Sequence, residues 1–147
     1  MSRPGPASAP EPPSVVVGHH PDTPAPVLRE VLAGAEEEGV PVTTWPDPAA
    51  AGGPDGLVAL AHRAAQRSRL DVGVGIDADG SVVVHHTKLP TDRPAFTEPA
   101  HGPAAPAGSG GPGGSGSGDR PHGRHAGAAA ARIVTGLPLP GPAGVRP

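Results

Sequence analysis

Three consecutive carboxylates, Glu36-Glu37-Glu38, close a helical stretch and are the residues here with the most chemical potential. A helix C-terminus already carries partial negative charge, so each exposed acid there is unfavourable by roughly 0.3–1 kcal/mol. Two readings accommodate them. They form a solvated charged face, or one of them meets a cation across an interface, either Arg/Lys or Mg²⁺, for which carboxylate oxygens are the usual hard ligands. The histidines come next, as the adjacent pairs His19-His20 and His85-His86. Neighbours on a strand point to opposite faces, which sets His85 and His86 against chelating one metal and in favour of structural or surface roles. The zinc-helix pattern of two His four apart beside a Glu is absent. His122 and His125 flank a Gly-rich stretch and read as incidental.

Other constellations fall short of a site. No phosphate loop occurs, and Gly73-Val-Gly75 lacks the third glycine and the following helix of a dinucleotide motif. Ser14, Ser68 and Ser81 have no nucleophile-elbow context. Asp77 and Asp79 flank a turn, where Asp is expected for local hydrogen bonding. Cysteine is absent, which removes disulfides, thiolate metal sites and a Cys nucleophile. The net charge of −3, with one Trp, one Phe and no Tyr, argues against a nucleic-acid surface. The expectation is a non-catalytic chain with no catalytic residue.

These residues must be positioned by a small α/β domain. Gly and Pro supply 23 residues each of 147, nearly a third of the chain and in the range of low-complexity sequence. The folded part is therefore expected to be smaller than the whole, with a core of Val, Leu, Ile and Ala. Residues 1–13 read as a Pro-rich disordered tail without a secretory signal. No apolar run approaches the ~20 residues of a membrane span, and a cytoplasmic location is expected. Ser14–Val17 is a β-branched strand candidate. Val27–Glu38 is the clearest helix, with Pro26 in its first turn, an apolar stripe through Val27, Val31 and Ala35, and Gly39 at its end. Val40–Trp45 follows as a strand, and Leu57–Arg67 as a helix with a narrow face of small residues. Asp71–Ile76 and Ser81–His86 form an antiparallel hairpin around Asp-Ala-Asp-Gly, with glycines at 73 and 75 implying close approach of another element. His125–Thr135 is the last helix, and Leu137-Pro-Leu139 leaves room for a final edge strand. The predicted order is β-α-β-α-β-β-α in a three-layer α/β sandwich with a mixed, mostly parallel sheet. Residues 14–97 and 124–139 make up the single domain, 98–123 a Gly/Pro/Ser-rich flexible insertion, and 140–147 a loose tail.

Three segments carry a family likeness: Arg29-Glu-Val-Leu-Ala-Gly-Ala-Glu-Glu-Glu-Gly-Val-Pro41; Leu60 to Asp77, continuing through Gly80 to His85-His-Thr-Lys-Leu-Pro90 and Pro94-Ala-Phe96; and Ala130-Ala-Arg-Ile-Val-Thr-Gly-Leu-Pro138. In order and spacing they resemble the small subunit of diol/glycerol dehydratase reactivating factor, over roughly half the chain. The resemblance implies a fold like the dehydratase medium subunit and a partner subunit's job. An actin-like ATPase large subunit would bind ATP/ADP, while this chain would exchange with the medium subunit of an inactivated diol/glycerol dehydratase so that damaged cobalamin leaves. It further implies a heterotetramer of two large and two small subunits with Mg²⁺ at their contact, and assigns that metal contact to Glu37. A microcompartment setting is compatible with it. The family's third segment usually carries two Asn where this chain has Ala128 and Ala129, and its counterpart of 98–123 is shorter. Competing readings are a medium subunit of a cobalamin-dependent dehydratase, and a small ligand- or metal-binding domain using the His pairs.

Overall fold

The computed structural model describes residues 12–47, 53–100, 105–106 and 122–136. In chain order its elements are β1 (Val15–His19), α1 (Ala25–Glu37), β2 (Val42–Pro46), α2 (Gly53–Arg67), β3 (Val72–Ile76), β4 (Val82–His86), β5 (Phe96–Glu98), β6 (Ala105–Pro106) and α3 (Arg124–Thr135). They build one six-stranded sheet in the order β2-β1-β3-β4-β5-β6. β1 pairs in parallel with β2 and with β3, whereas β3–β4, β4–β5 and β5–β6 are antiparallel.

The period-two alternation of the strands sorts their side chains onto two faces. Val15, Val17, Val72, Val74, Ile76, Val82, Val84 and Phe96 join Val31 and Ala35 of α1 and the alanines of α3 in one apolar cluster. Phe96, the chain's one Phe, is the largest fully buried side chain. On the opposite face Val83 meets Leu57 and Ala61 of α2. Gly73 and Gly75 lie under α2 so closely that a Cβ on Gly73 would run into the backbone of Ala61, Ala64 and Ala65. The glycines in the strand are therefore the seat of a helix, as their spacing implied. α1 and α3 touch each other in the same manner. A Cβ on Gly34 would strike the Arg124 carbonyl, and one on Gly127 the Val31 carbonyl.

α1 ends in a Schellman arrangement. Gly39 has φ +81°, its N–H donates to Glu36 O at 2.9 Å, and Val40 N–H reaches back to Ala35 O at 3.2 Å. The three-layer order expected from sequence holds, and β5 and β6 extend the sheet. With them antiparallel pairings number three against two parallel, so the sheet is mixed but not mostly parallel as expected. The expected insertion of 98–123 also changes at both ends. Glu98 belongs to β5, and Ala100 N–H donates to Ser81 Oγ at 3.0 Å. His122 Nε2 lies 2.8 Å from Gly80 O, and Gly123 N–H donates to Glu98. The anticipated strand at Leu137–Leu139 and the tails at 1–11 and 140–147 lie outside the described residues.

Candidate functional site

Glu30 and Glu37 are seven residues apart on α1, two turns along one face, with Gly34 between them. The missing side chain at Gly34 lets the first turn of α3 come in, and Arg124 lies across the gap. Its Nε donates to Glu30 Oε1 at 2.8 Å, and its Nη2 reaches the same oxygen at 2.5 Å. Nη1 donates to Glu37 Oε2 at 2.7 Å. The Arg124 side chain is 21 % exposed and Glu37 is 48 % exposed. Further along α3, Arg132 Nη2 sits 3.4 Å from Glu38 Oε2. Glu36 is exposed. The acidic run is thus neither wholly solvated nor wholly paired. Two of its three acids meet arginines of α3, which offsets the unfavourable helix-end charge by about 0–1 kcal/mol per exposed pair.

Glu37, the acid singled out in the sequence, keeps one oxygen in hand. Oε2 is taken by Arg124, while Oε1 accepts no hydrogen bond among the described residues. A half-exposed carboxylate with a free oxygen suits a hard cation as one ligand. Among the described residues there is no group of three or more His, Asp or Glu able to hold a metal alone, so further ligands would come from outside this chain or from water.

The histidines divide as strand geometry demands. His85 is fully buried and His86 half-buried. His85 Nε2 lies 3.0 Å from Thr91 O, while Nδ1 lies 2.9 Å from His86 N and 3.1 Å from His86 O. The ring therefore staples the 86–91 turn to β4. His62 of α2 packs edge-on against it, ring centroids 4.8 Å apart. Burial, and secondarily the neighbouring His85, hold the His62 imidazole below its ordinary 6.5. His20 Nδ1 and His86 Nδ1 each accept a backbone N–H two residues on, at 2.9 and 3.0 Å.

Two features escape a reading of the sequence. Glu98 is 3 % exposed and its two oxygens accept Gly123 N–H and Ala126 N–H, both at 3.0 Å. A strand residue thereby caps the N-terminus of α3, the place where backbone donors lack partners and a carboxylate suits the dipole. His122, expected to be incidental, stands beside this cap, with Nδ1 3.6 Å from Glu98 Oε2. Glu98 and its donors are about 25 residues apart in sequence, so no local pattern marks the cap. The second feature is the set of arginine contacts to Glu30, Glu37 and Glu38, for which the only local hint is the seven-residue spacing of two acids. Ala128 and Ala129, where the likeness departs, are buried and offer no polar side chain for a contact.

A family model described as dehydratase medium subunit matches residues 12–107. The propanediol dehydratase-reactivating factor small subunit of Salmonella typhimurium is 35% identical over 115 residues, 78% of this chain and 80% of the relative. The diol dehydratase-reactivating factor small subunit of Klebsiella michiganensis is 36% identical over 111 residues, 76% and 71% of the two chains. Among solved structures, a glycerol dehydratase reactivase is 31% identical, with a TM-score of 0.68 over 88% of this chain and 97% of that one. A diol dehydratase-reactivating factor complexed with ADP and Mg²⁺ is 32% identical, with a TM-score of 0.66 over 88% and 98%.

Proposed function

Since the chain belongs to the dehydratase medium-subunit family, and within it to the small subunits of diol/glycerol dehydratase-reactivating factors, we propose that it works by replacing the subunit it resembles. One observation carries this reading. The chain matches a family described by a piece of the enzyme, while its relatives are named for reactivating that enzyme. A protein built like one subunit can compete for that subunit's place, and such competition requires no catalytic residue on the competitor. In this reading an ATPase large subunit holds ATP or ADP, and two large and two small subunits assemble in the cytoplasm. The small subunit takes the medium subunit's place on an inactivated dehydratase, and damaged cobalamin escapes through the opening.

Glu37 is, in the same reading, the contact through which the large subunit is met. Its Oε1 would supply one ligand to a Mg²⁺ whose remaining ligands come from the larger subunit and water. The Mg²⁺ and ADP bound to the solved diol dehydratase-reactivating factor support a metal in such assemblies.

Reconstitution tests the whole reading. The chain is mixed with the large subunit, ATP, Mg²⁺ and adenosylcobalamin on inactivated dehydratase. Recovery of turnover, with medium subunit displaced into the free fraction, is expected. Recovery without displacement would rule out exchange. For the metal contact, Glu37→Ala is expected to weaken assembly with the large subunit by at least about tenfold, roughly the 1.4 kcal/mol of one lost charged contact, while leaving the circular dichroism spectrum unchanged. Unaltered copurification would remove Glu37 from the interface. Cobalamin retained by this chain's complex would favour the competing medium-subunit reading.

A further inference from the structure

We propose that Arg124 is a positioning residue for Glu37, presetting its carboxylate for Mg²⁺ before the large subunit arrives; the inference rests on the metal contact just described. The geometry is a relay across two helices. Glu30 holds the guanidinium through two N–H groups on one oxygen, at 2.8 and 2.5 Å. The planar fork then aims its remaining arm at Glu37 Oε2, 2.7 Å away. Glu37 is half-exposed, and a long acidic side chain in that setting otherwise samples many rotamers. Tying down Oε2 removes that freedom in advance and leaves Oε1 as the oxygen on offer.

Arg124 could equally act as a rival cation, because positive charge beside a carboxylate disfavours a divalent ion. Glu30 decides between the two effects. It offsets the guanidinium charge at contact distance, so Glu30, Arg124 and Glu37 together still carry one net negative charge. The ordering effect then outweighs the repulsion. Freezing one rotamer-rich side chain is worth roughly two- to tenfold in affinity. Gly34 is what admits the relay, since a side chain there would collide with the Arg124 backbone.

The test is a Mg²⁺ titration of assembly between the full chain and the large subunit, followed by sedimentation velocity. Four variants are compared with the parent: Arg124→Gln, Arg124→Lys, Glu30→Ala and Glu37→Ala. The expected result is a roughly two- to tenfold rise in the Mg²⁺ concentration for half-maximal assembly with Arg124→Gln and with Glu30→Ala, restored by excess Mg²⁺. Arg124→Lys should behave like Arg124→Gln, because an ammonium keeps the charge but cannot span both acids. A midpoint that stays put or falls would make Arg124 a bystander or a rival cation and overturn the proposal. Assembly lost at every Mg²⁺ concentration would make its role structural and overturn it equally. Should Arg124→Gln fail to fold, Arg124→Lys decides, since it keeps the cluster's charge and removes only the planar fork. Glu37→Ala is read separately: if its assembly keeps the parent's Mg²⁺ dependence, the metal contact itself is wrong.

Discussion

The two faces of the sheet share glycine contacts but differ in what else holds their helices. α2 is seated by missing side chains, its backbone resting on Gly73 and Gly75. On the other face α3 also meets α1 at Gly34 and Gly127, but side chains add to the hold: Glu98 caps its start, Arg124 and Arg132 tie it to α1, and Ala126, Ala129, Ala130 and Ala131 fill the valine-lined cluster. A seat made by absence tolerates no added atom, because backbone cannot move aside as a side chain can. A hold made of charged hydrogen bonds can be loosened one bond at a time. The face that seats α2 and the face that carries Glu37 and Glu38 are therefore built from partly different chemistry.

The sharpest way to break this contrast is Gly73→Val. The new branches would enter the backbone of α2, and overpacking of this kind costs about 3 kcal/mol or more. Loss of the cooperative thermal transition, followed by circular dichroism, is the expected outcome; a stable variant would show that α2 can lift from its seat. Glu98→Ala comes second. It strands two N–H groups at the start of α3, and losing hydrogen bonds to a charged group in such a place costs about 2–4 kcal/mol. Urea unfolding should show that loss while the 72–86 hairpin keeps its amide protection against hydrogen exchange. Equal loss of protection on both faces would mean that the faces do not act separately. The smallest effect belongs to His62, on the α2 side. Its folded imidazole sits below the ordinary 6.5 because of burial and His85, so the unfolded chain binds the proton more readily. Its contribution to stability is complete above about pH 6.5 and is lost as pH falls from there through the lower folded value. Melting curves of the parent and of His62→Gln should diverge between neutral and acidic pH, with the parent losing more on acidification. Parallel curves would show that the ring is as open to water in the folded chain as in the unfolded one.

Much of the fold is legible in the sequence because it is local. The apolar stripe of α1, the stop at Gly39, the alternation of Val72, Val74 and Ile76, and the Asp-Gly turn each declare themselves within a few residues. The glycines at 73 and 75 foretell a close neighbour without saying which. β5 goes unseen because three residues, Phe96-Thr-Glu98, are too short to show a period, and its strand character comes from pairing with β4. The candidate site is half legible. Glu37 stands out by its place in an acidic run, whereas Arg124 lies 87 residues away and joins it through the fold. The likeness to the reactivating-factor family points to Glu37, and the geometry adds the guanidinium that holds it.

Both borders of the 101–121 stretch are moored to neighbouring residues of one tight turn, Ala100 through Ser81 and His122 through Gly80. The domain therefore meets that stretch as a doorway whose two posts stand on the same sill. Closure entropy grows only as the logarithm of length, about 0.6 kcal/mol per doubling. A change in the length of chain between Ala100 and His122 is therefore expected to add little closure entropy at that sill.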